Sequence, residues 1–152
     1  MKPPKSFIKE SSIKSLSDLQ TWAKNFVTDY YFPKTLLVLE GEMGAGKTET
    51  VKQLASVLGL ASVSSPTYAV LQNYAKSGVT GLHHVDMYRL KDIDDLESTG
   101  FWDLFNDIDS FIIVEWGDMV EVSAYPLNWK HLHLKITKDS NGLRKYTLSR
   151  FF

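Results

Sequence analysis

Eight consecutive residues, Gly41-Glu42-Met43-Gly44-Ala45-Gly46-Lys47-Thr48, constrain this chain more than any other feature. They fit the spacing G-x-x-x-x-G-K-[ST], a loop that wraps phosphate groups when a strand enters it and a helix leaves it. Both neighbours are present. Thr35 to Glu40 is a short, apolar, β-branched run suited to a buried central strand. Lys47 to Leu58 has Val51, Leu54, Ala55 and Leu58 on one helical face, with Gly59 as the stop. The residue types match the chemistry of a polyphosphate. Glycines let the loop curl and aim its N–H groups inward. The helix N-terminus adds unpaired donors and a partial positive charge. The Lys47 ammonium can reach the outer phosphates, and the Thr48 hydroxyl is a hard oxygen ligand suited to Mg²⁺. A plain glycine-rich turn is the competing reading, and the flanking strand and helix argue against it.

The rest of the chain supplies an α/β frame. Ser15 to Tyr30 reads as a helix started by Ser15 and Asp18, with Pro33 as its stop. Ser62 to Pro66 reads as a loop. Tyr68 to Tyr74 and Gly81 to Tyr88 read as two strands joined through Lys76-Ser77-Gly78. Asp92 to Phe105 has helical character interrupted at Gly100, and Phe111 to Glu115 is a second buried strand. Trp129 to Thr137 and Leu143 to Ser149 flank the hairpin signal Asn141-Gly142. Strand–helix–strand pieces plus hairpins predict an α/β, P-loop NTPase-like three-layer fold, with a mixed central sheet and helices on both faces. At 152 residues one domain spanning 1–152 is expected, with residues 1–10 loose.

Composition excludes several classes. Seventeen Lys and Arg against 18 Asp and Glu give a net charge of −1, so bulk charge does not make this a nucleic-acid-coating protein. With no Cys, thiolate chemistry, disulfides and cysteine zinc sites are excluded. No apolar run approaches the roughly 20 residues of a membrane span. The N-terminus has no apolar signal segment, so no membrane association and a cytoplasmic location are expected.

Further candidates follow from position. Glu115, ending the run Phe111 to Val114, sits where a parallel strand delivers a side chain to a ligand crevice, and it is the candidate metal-side acid. On a strand, His84, Asp86 and Tyr88 share one face. Asp86 can orient an attacking water or complete a metal shell. A solvent-facing hairpin strand is the alternative there. Ser64-Ser65-Pro66-Thr67-Tyr68 reads as a plain loop, with hydroxyls that can face a γ-phosphate as the sharper alternative. His131 and His133 alternate on a strand, but with no Cys and no nearby acidic ligand they read as surface histidines. Phe101, Trp102, Leu104 and Phe105 read as core or interface. The acids Asp92, Asp94, Asp95 and Glu97 read as a solvated helix start.

Taken in order, G-E-M-G-A-G-K-T at 41–48, S-P-T-Y at 65–68, H-x-D-x-Y-R-L at 84–90, V-E-W at 114–116 and a hairpin carrying Arg144 resemble the TsaE (YjeE) family of small bacterial P-loop ATPases. The resemblance runs from about Ser12 to Arg150. It implies an accessory ATPase in making threonylcarbamoyladenosine beside the tRNA anticodon. Such a protein binds ATP or ADP with Mg²⁺ and resets a TsaB–TsaD heterodimer, TsaD being the transferase, with tRNA met only through that complex. It implies that Glu42, Met43, Gly44, Ala45, Gly46, Lys47, Thr48 and Glu49 surround the nucleotide, with Thr48 and Glu115 on Mg²⁺. Lys47, Asp86 and Glu115 become the catalytic set. Ser65 to Tyr68 becomes a switch-like segment, Trp116 lies beside the site, and Ser12 and Arg144 approach from the two chain ends. Three positions depart from the family's habit: Glu49 where a small hydroxyl residue is common, Glu42 for Asp, and Gly117-Asp118 where Pro and Glu are common.

Two other functions fit the phosphate loop. A small-molecule kinase usually needs several lid arginines, and this chain has three, Arg89, Arg144 and Arg150. A nucleotide-dependent binding switch without significant hydrolysis is the other. A guanine-reading N-K-x-D is absent, and Asn128-Trp129-Lys130-His131 does not match it. The motif set offers no arginine finger, which predicts slow basal hydrolysis raised by a partner.

Overall fold

A computed structural model describes residues 5–62, 71–88, 90–115 and 120–151. Their strands form one eight-stranded sheet ordered β1-β8-β7-β2-β6-β5-β4-β3. In chain order these are β1 (Lys5–Ile13), β2 (Thr35–Glu40), β3 (Ala61–Ser62), β4 (Leu71–Ala75), β5 (Gly81–Asp86), β6 (Ser110–Glu115), β7 (Lys130–Lys138) and β8 (Arg144–Phe151). Strand β2 lies parallel to both β6 and β7, and β5 lies parallel to β6. The β4–β5, β7–β8 and β1–β8 pairs are antiparallel. The sheet is therefore mixed, with a parallel centre that is buried on both faces.

Two of its helices begin and end as the residues dictate. Helix α1 (Leu16–Tyr30) is capped by Ser15, whose hydroxyl accepts the Asp18 N–H at 3.1 Å, while Asp18 accepts from Lys14 N. Helix α2 (Lys47–Leu58) starts on the phosphate loop and stops at Gly59 in the left-handed conformation. Both pack on the sheet face built from Leu37, Leu39, Phe111, Ile113, Leu132 and Leu134, to which α1 adds Trp22 and Phe26 and α2 adds Val51 and Leu54. On the opposite face, α3 (Ile93–Ser98) and the 3₁₀ turn Phe101–Asn106 cover Leu36, Val85, Ile112 and Val114. Gly100, with φ +78°, breaks the helical stretch into these two pieces. Among the described residues no helix is long and apolar enough to cross a membrane.

Three differences from the sequence reading have physical causes. Lys5–Ile13, given no element and expected loose to about residue 10, hydrogen-bonds along β8 as an edge strand; its exposed, weakly alternating pattern hides it from periodicity. The strand expected from Gly81 to Tyr88 ends at Asp86, and it is an interior strand beside β6, not a solvent-facing one. His131 and His133 are corrected from surface to buried, at 3% and 5% exposure. Their face of β7 is covered: His131 Nε2 lies 2.9 Å from the Pro126 carbonyl, and His133 Nε2 lies 2.7 Å from Glu40 Oε2.

Candidate active site

Strand β2 ends at the centre of the parallel ladder, between the C-terminal ends of β6 and β7. That is the crevice where open α/β sheets bind ligands. The chain leaves β2 through the loop 41–46 and enters α2 at Lys47. The loop is fixed by close approach. A Cβ on Gly41 would stand 2.8 Å from the backbone oxygen of Ile136 in β7, so only glycine fits. Gly46 has φ +108°, a conformation that other residues rarely adopt.

Lys47 is buried at the first position of α2. Its Nζ donates to the carbonyl oxygens of Gly41 at 2.6 Å and Glu42 at 3.1 Å, which draws the ammonium along the loop. Burial pushes its pKa below the ordinary lysine range, and the Glu115 and Asp86 carboxylates pull it back. Both acids thus lie within electrostatic reach of the ammonium.

Strands β5 and β6 carry those acids in register. Asp86 pairs with Glu115 at the last position of each strand. Glu115 is 2% exposed, and Thr48 Oγ1 lies 3.5 and 3.4 Å from its two carboxylate oxygens. Asp86 is half-buried, and its Oδ1 accepts the Tyr88 N–H at 3.0 Å. His84, two residues before Asp86 on the same face, places Nε2 2.5 Å from Glu115 Oε2.

Arg144, the first residue of β8, reaches the loop from the other side. A Cβ on Gly46 would lie 3.4 Å from its Nε. That Nε is buried and has no hydrogen-bond partner among the described residues. Helix α2 is tied to the same strand: Thr50 Oγ1 bonds the Gly46 carbonyl and the buried Tyr146 hydroxyl, both at 2.7 Å. An open cleft of about 820 Å³ lies between loop residues Gly41–Ala45 and the end of β7. Glu42, Met43 and Gly44 stand exposed around it, while Ala45 is buried.

The structure thus brings together Lys47, Thr48, Asp86, Glu115 and Arg144. Glu49 sits in the first turn of α2 but faces Gln53, whose Nε2 donates to it at 3.1 Å. Ser12 is exposed on β1, and its strand partner is Lys145. Its neighbour Ile13 pairs with Arg144 and is packed with the α1–α2 core, so alternation turns Ser12 to the opposite face of the sheet. Ser64 to Tyr68, Arg89, Trp116 and Gly117-Asp118 lie outside the described residues. Sequence reasoning missed the Ile136 carbonyl, the Tyr146–Thr50 bond and the His84–Glu115 pair. Of these, only the shared face of His84 and Asp86 left a signal in the sequence.

The donor set fits its expected ligands. The Thr48 hydroxyl and the Glu115 carboxylate, 3.4 and 3.5 Å apart, are the hard oxygen donors that would suit Mg²⁺. A buried guanidinium nitrogen with no partner among the described residues, beside a loop of N–H groups, suits an anion.

A strand, glycine loop and helix inserted at the centre of a mixed sheet, with acids ending the adjacent parallel strands, define a P-loop NTPase-like α/β protein. A crystal structure of Bacillus subtilis YdiB shares this fold, with a TM-score of 0.70 and 22% identity over all of this chain and 89% of that one. The family model described as "Threonylcarbamoyl adenosine biosynthesis protein TsaE" matches residues 13–146, and the chain belongs to the TsaE family. Among its relatives is a protein of Bacillus subtilis (strain 168) named "tRNA threonylcarbamoyladenosine biosynthesis protein TsaE". It is 38% identical over 118 residues, 77% of this chain and 70% of the relative. A Borreliella burgdorferi protein of the same name is 35% identical over 95 residues, 60% of this chain and 69% of the relative.

Proposed function

We propose that this protein is an Mg²⁺-dependent ATPase of cytoplasmic tRNA threonylcarbamoyladenosine biosynthesis, hydrolysing ATP to drive turnover of a TsaB–TsaD transferase complex. The observation that carries the ATPase reading is the convergence of Lys47, Thr48, Asp86 and Glu115 at the C-terminal ends of β2, β5 and β6. The pathway rests on family membership and on the names of the relatives.

The proposed chemistry is in-line attack of water on the γ-phosphate. The loop N–H groups and Lys47 bind the phosphoryl oxygens and stabilise the charge that spreads over them. Thr48 and Glu115 would hold Mg²⁺, which when bound neutralises phosphate charge. Asp86, fixed at Oδ1 by Tyr88 N–H, orients the attacking water through its other oxygen. Arg144 binds nucleotide from the β8 side. With no arginine finger in the motif set, basal turnover is slow and the partner complex raises it.

Calorimetric titration of MgATP into the pure protein tests the site, and saturable binding is expected. The steady-state ATPase rate, measured alone and with the TsaB–TsaD heterodimer, tests the partner. Equal rates in the two conditions would remove the partner from the proposal while leaving the nucleotide site intact.

A further inference from the structure

We propose that His84 is a positioning residue for Glu115, holding this carboxylate in the orientation that serves Mg²⁺; the inference rests on the nucleotide site proposed above. His84 and Glu115 come from neighbouring parallel strands, β5 and β6. Their register pairs His84 with Ile113 and Asp86 with Glu115, so His84 stands one step below Glu115 on the same face. Its Nε2 lies 2.5 Å from Glu115 Oε2, and the two side chains are 9% and 3% exposed.

The need for this contact follows from burial. A carboxylate removed from water requires donors, and leaving it without them is costly. Among the described residues His84 Nε2 is the only donor within 3 Å of the Glu115 carboxylate oxygens, the Thr48 hydroxyl lying at 3.4 and 3.5 Å. The carboxylate also has a competing attraction, because it lies within electrostatic reach of the Lys47 ammonium. A glutamate has three rotatable side-chain bonds, and turning toward Lys47 would take it from Thr48 and occupy the cation meant for phosphate. With Oε2 tied to His84, the carboxylate keeps both of its oxygens beside the Thr48 hydroxyl, at 3.4 and 3.5 Å. Partners of this kind orient metal ligands, and losing one typically costs about 10–100-fold in metal affinity or activity.

The test measures ADP affinity by calorimetry, with saturating Mg²⁺ and with EDTA; the ratio of the two affinities reads metal coupling alone. In His84→Leu that ratio is expected to fall by about 10–100-fold, with affinity in EDTA unchanged. His84→Gln, whose amide N–H reaches about as far as Nε2, is expected to restore most of the ratio. In a Glu115→Gln background, His84→Leu is expected to change nothing further. A wild-type ratio in His84→Leu overturns the inference, as does an equal loss in EDTA, a His84→Gln as poor as the leucine variant, or a full effect without the Glu115 carboxylate. If His84→Leu fails to fold, the comparison passes to His84→Gln and His84→Asn, whose shorter amide falls short of Glu115. Equal ratios in those two overturn the inference. A wild-type protein that binds no ADP in either condition overturns the nucleotide site itself, an outcome distinct from all of these.

Discussion

The phosphate loop has two unlike flanks. On one side, β5 and β6 run parallel to β2 and end in the carboxylates of Asp86 and Glu115. On the other, β7 passes the loop and turns back as β8, presenting a backbone carbonyl at Ile136 and a guanidinium at Arg144. Parallel strands reach the crevice separately, so each delivers one side chain at its end. The β7–β8 hairpin instead places Arg144 through its turn, where Asp139 Oδ1 accepts the N–H groups of Asn141 and Leu143 and sets Arg144 opposite Lys138. The contrast implies a division of labour. On the function proposed above, the acidic flank would serve metal and water, and the hairpin flank loop shape and nucleotide binding.

Lys47 closes the loop itself, bonded to its Gly41 and Glu42 carbonyls and within electrostatic reach of both acids, so its loss should be the most damaging. Lys47→Ala is expected to depress phosphate affinity and turnover together, by about 10³-fold overall; calorimetry and single-turnover hydrolysis read the two losses. A variant with normal affinity would break the assignment of Lys47 to phosphate.

Asp86→Asn tests the acidic flank alone. Turnover at saturating MgATP is expected to fall by about 10²-fold with nucleotide affinity preserved. Weaker binding at normal turnover would reverse the division of labour. Arg144→Ala is the mirror experiment, with an expected loss of roughly tenfold in affinity and little change in turnover.

Gly41→Ala probes loop shape. Its Cβ would meet the Ile136 oxygen at 2.8 Å, and strain of about 1–3 kcal/mol is expected. Thermal unfolding should shift down by roughly 2–4 °C for each kcal/mol. An unchanged melting temperature would mean that the β2–β7 approach is looser than it stands.

The smallest effect concerns His133 on the hairpin flank. Burial, then the Lys5 ammonium, lower its pKa from the ordinary value, and Glu40 opposes them. A histidine lowered on folding takes up fewer protons than the unfolded chain does, so its contribution is present above the ordinary imidazole range and is lost as pH falls through that range toward its folded value. His133→Asn should flatten the decline of stability as pH falls below about 6.5. An identical slope in the variant would show that the decline comes from other groups.

The acidic flank was far more legible in the sequence than the hairpin flank. Glu115 follows four apolar residues, so its strand end could be located, and Asp86 was placed on a polar face of a strand that was read two residues too long. Arg144 carried no such signal, and it entered only through resemblance to a family. His131 and His133 were misplaced because their alternation resembles an exposed face, and what covers them comes from residues distant in the chain. Lys5–Ile13 went unread because an exposed edge strand lacks the periodicity that marks buried ones.

By itself the sequence determined what neighbouring residues decide: the glycines that let a loop curl, the lysine and threonine that follow, the apolar strand before them, and the caps of α1 and α2. These are local, since torsions and hydrogen bonds a few residues apart fix them. The tertiary structure decided which oxygen crowds Gly41, which histidine holds Glu115 and where Arg144 arrives. Each of those contacts joins strands far apart in the chain, so it follows from sheet register and strand order, which no short-range pattern encodes.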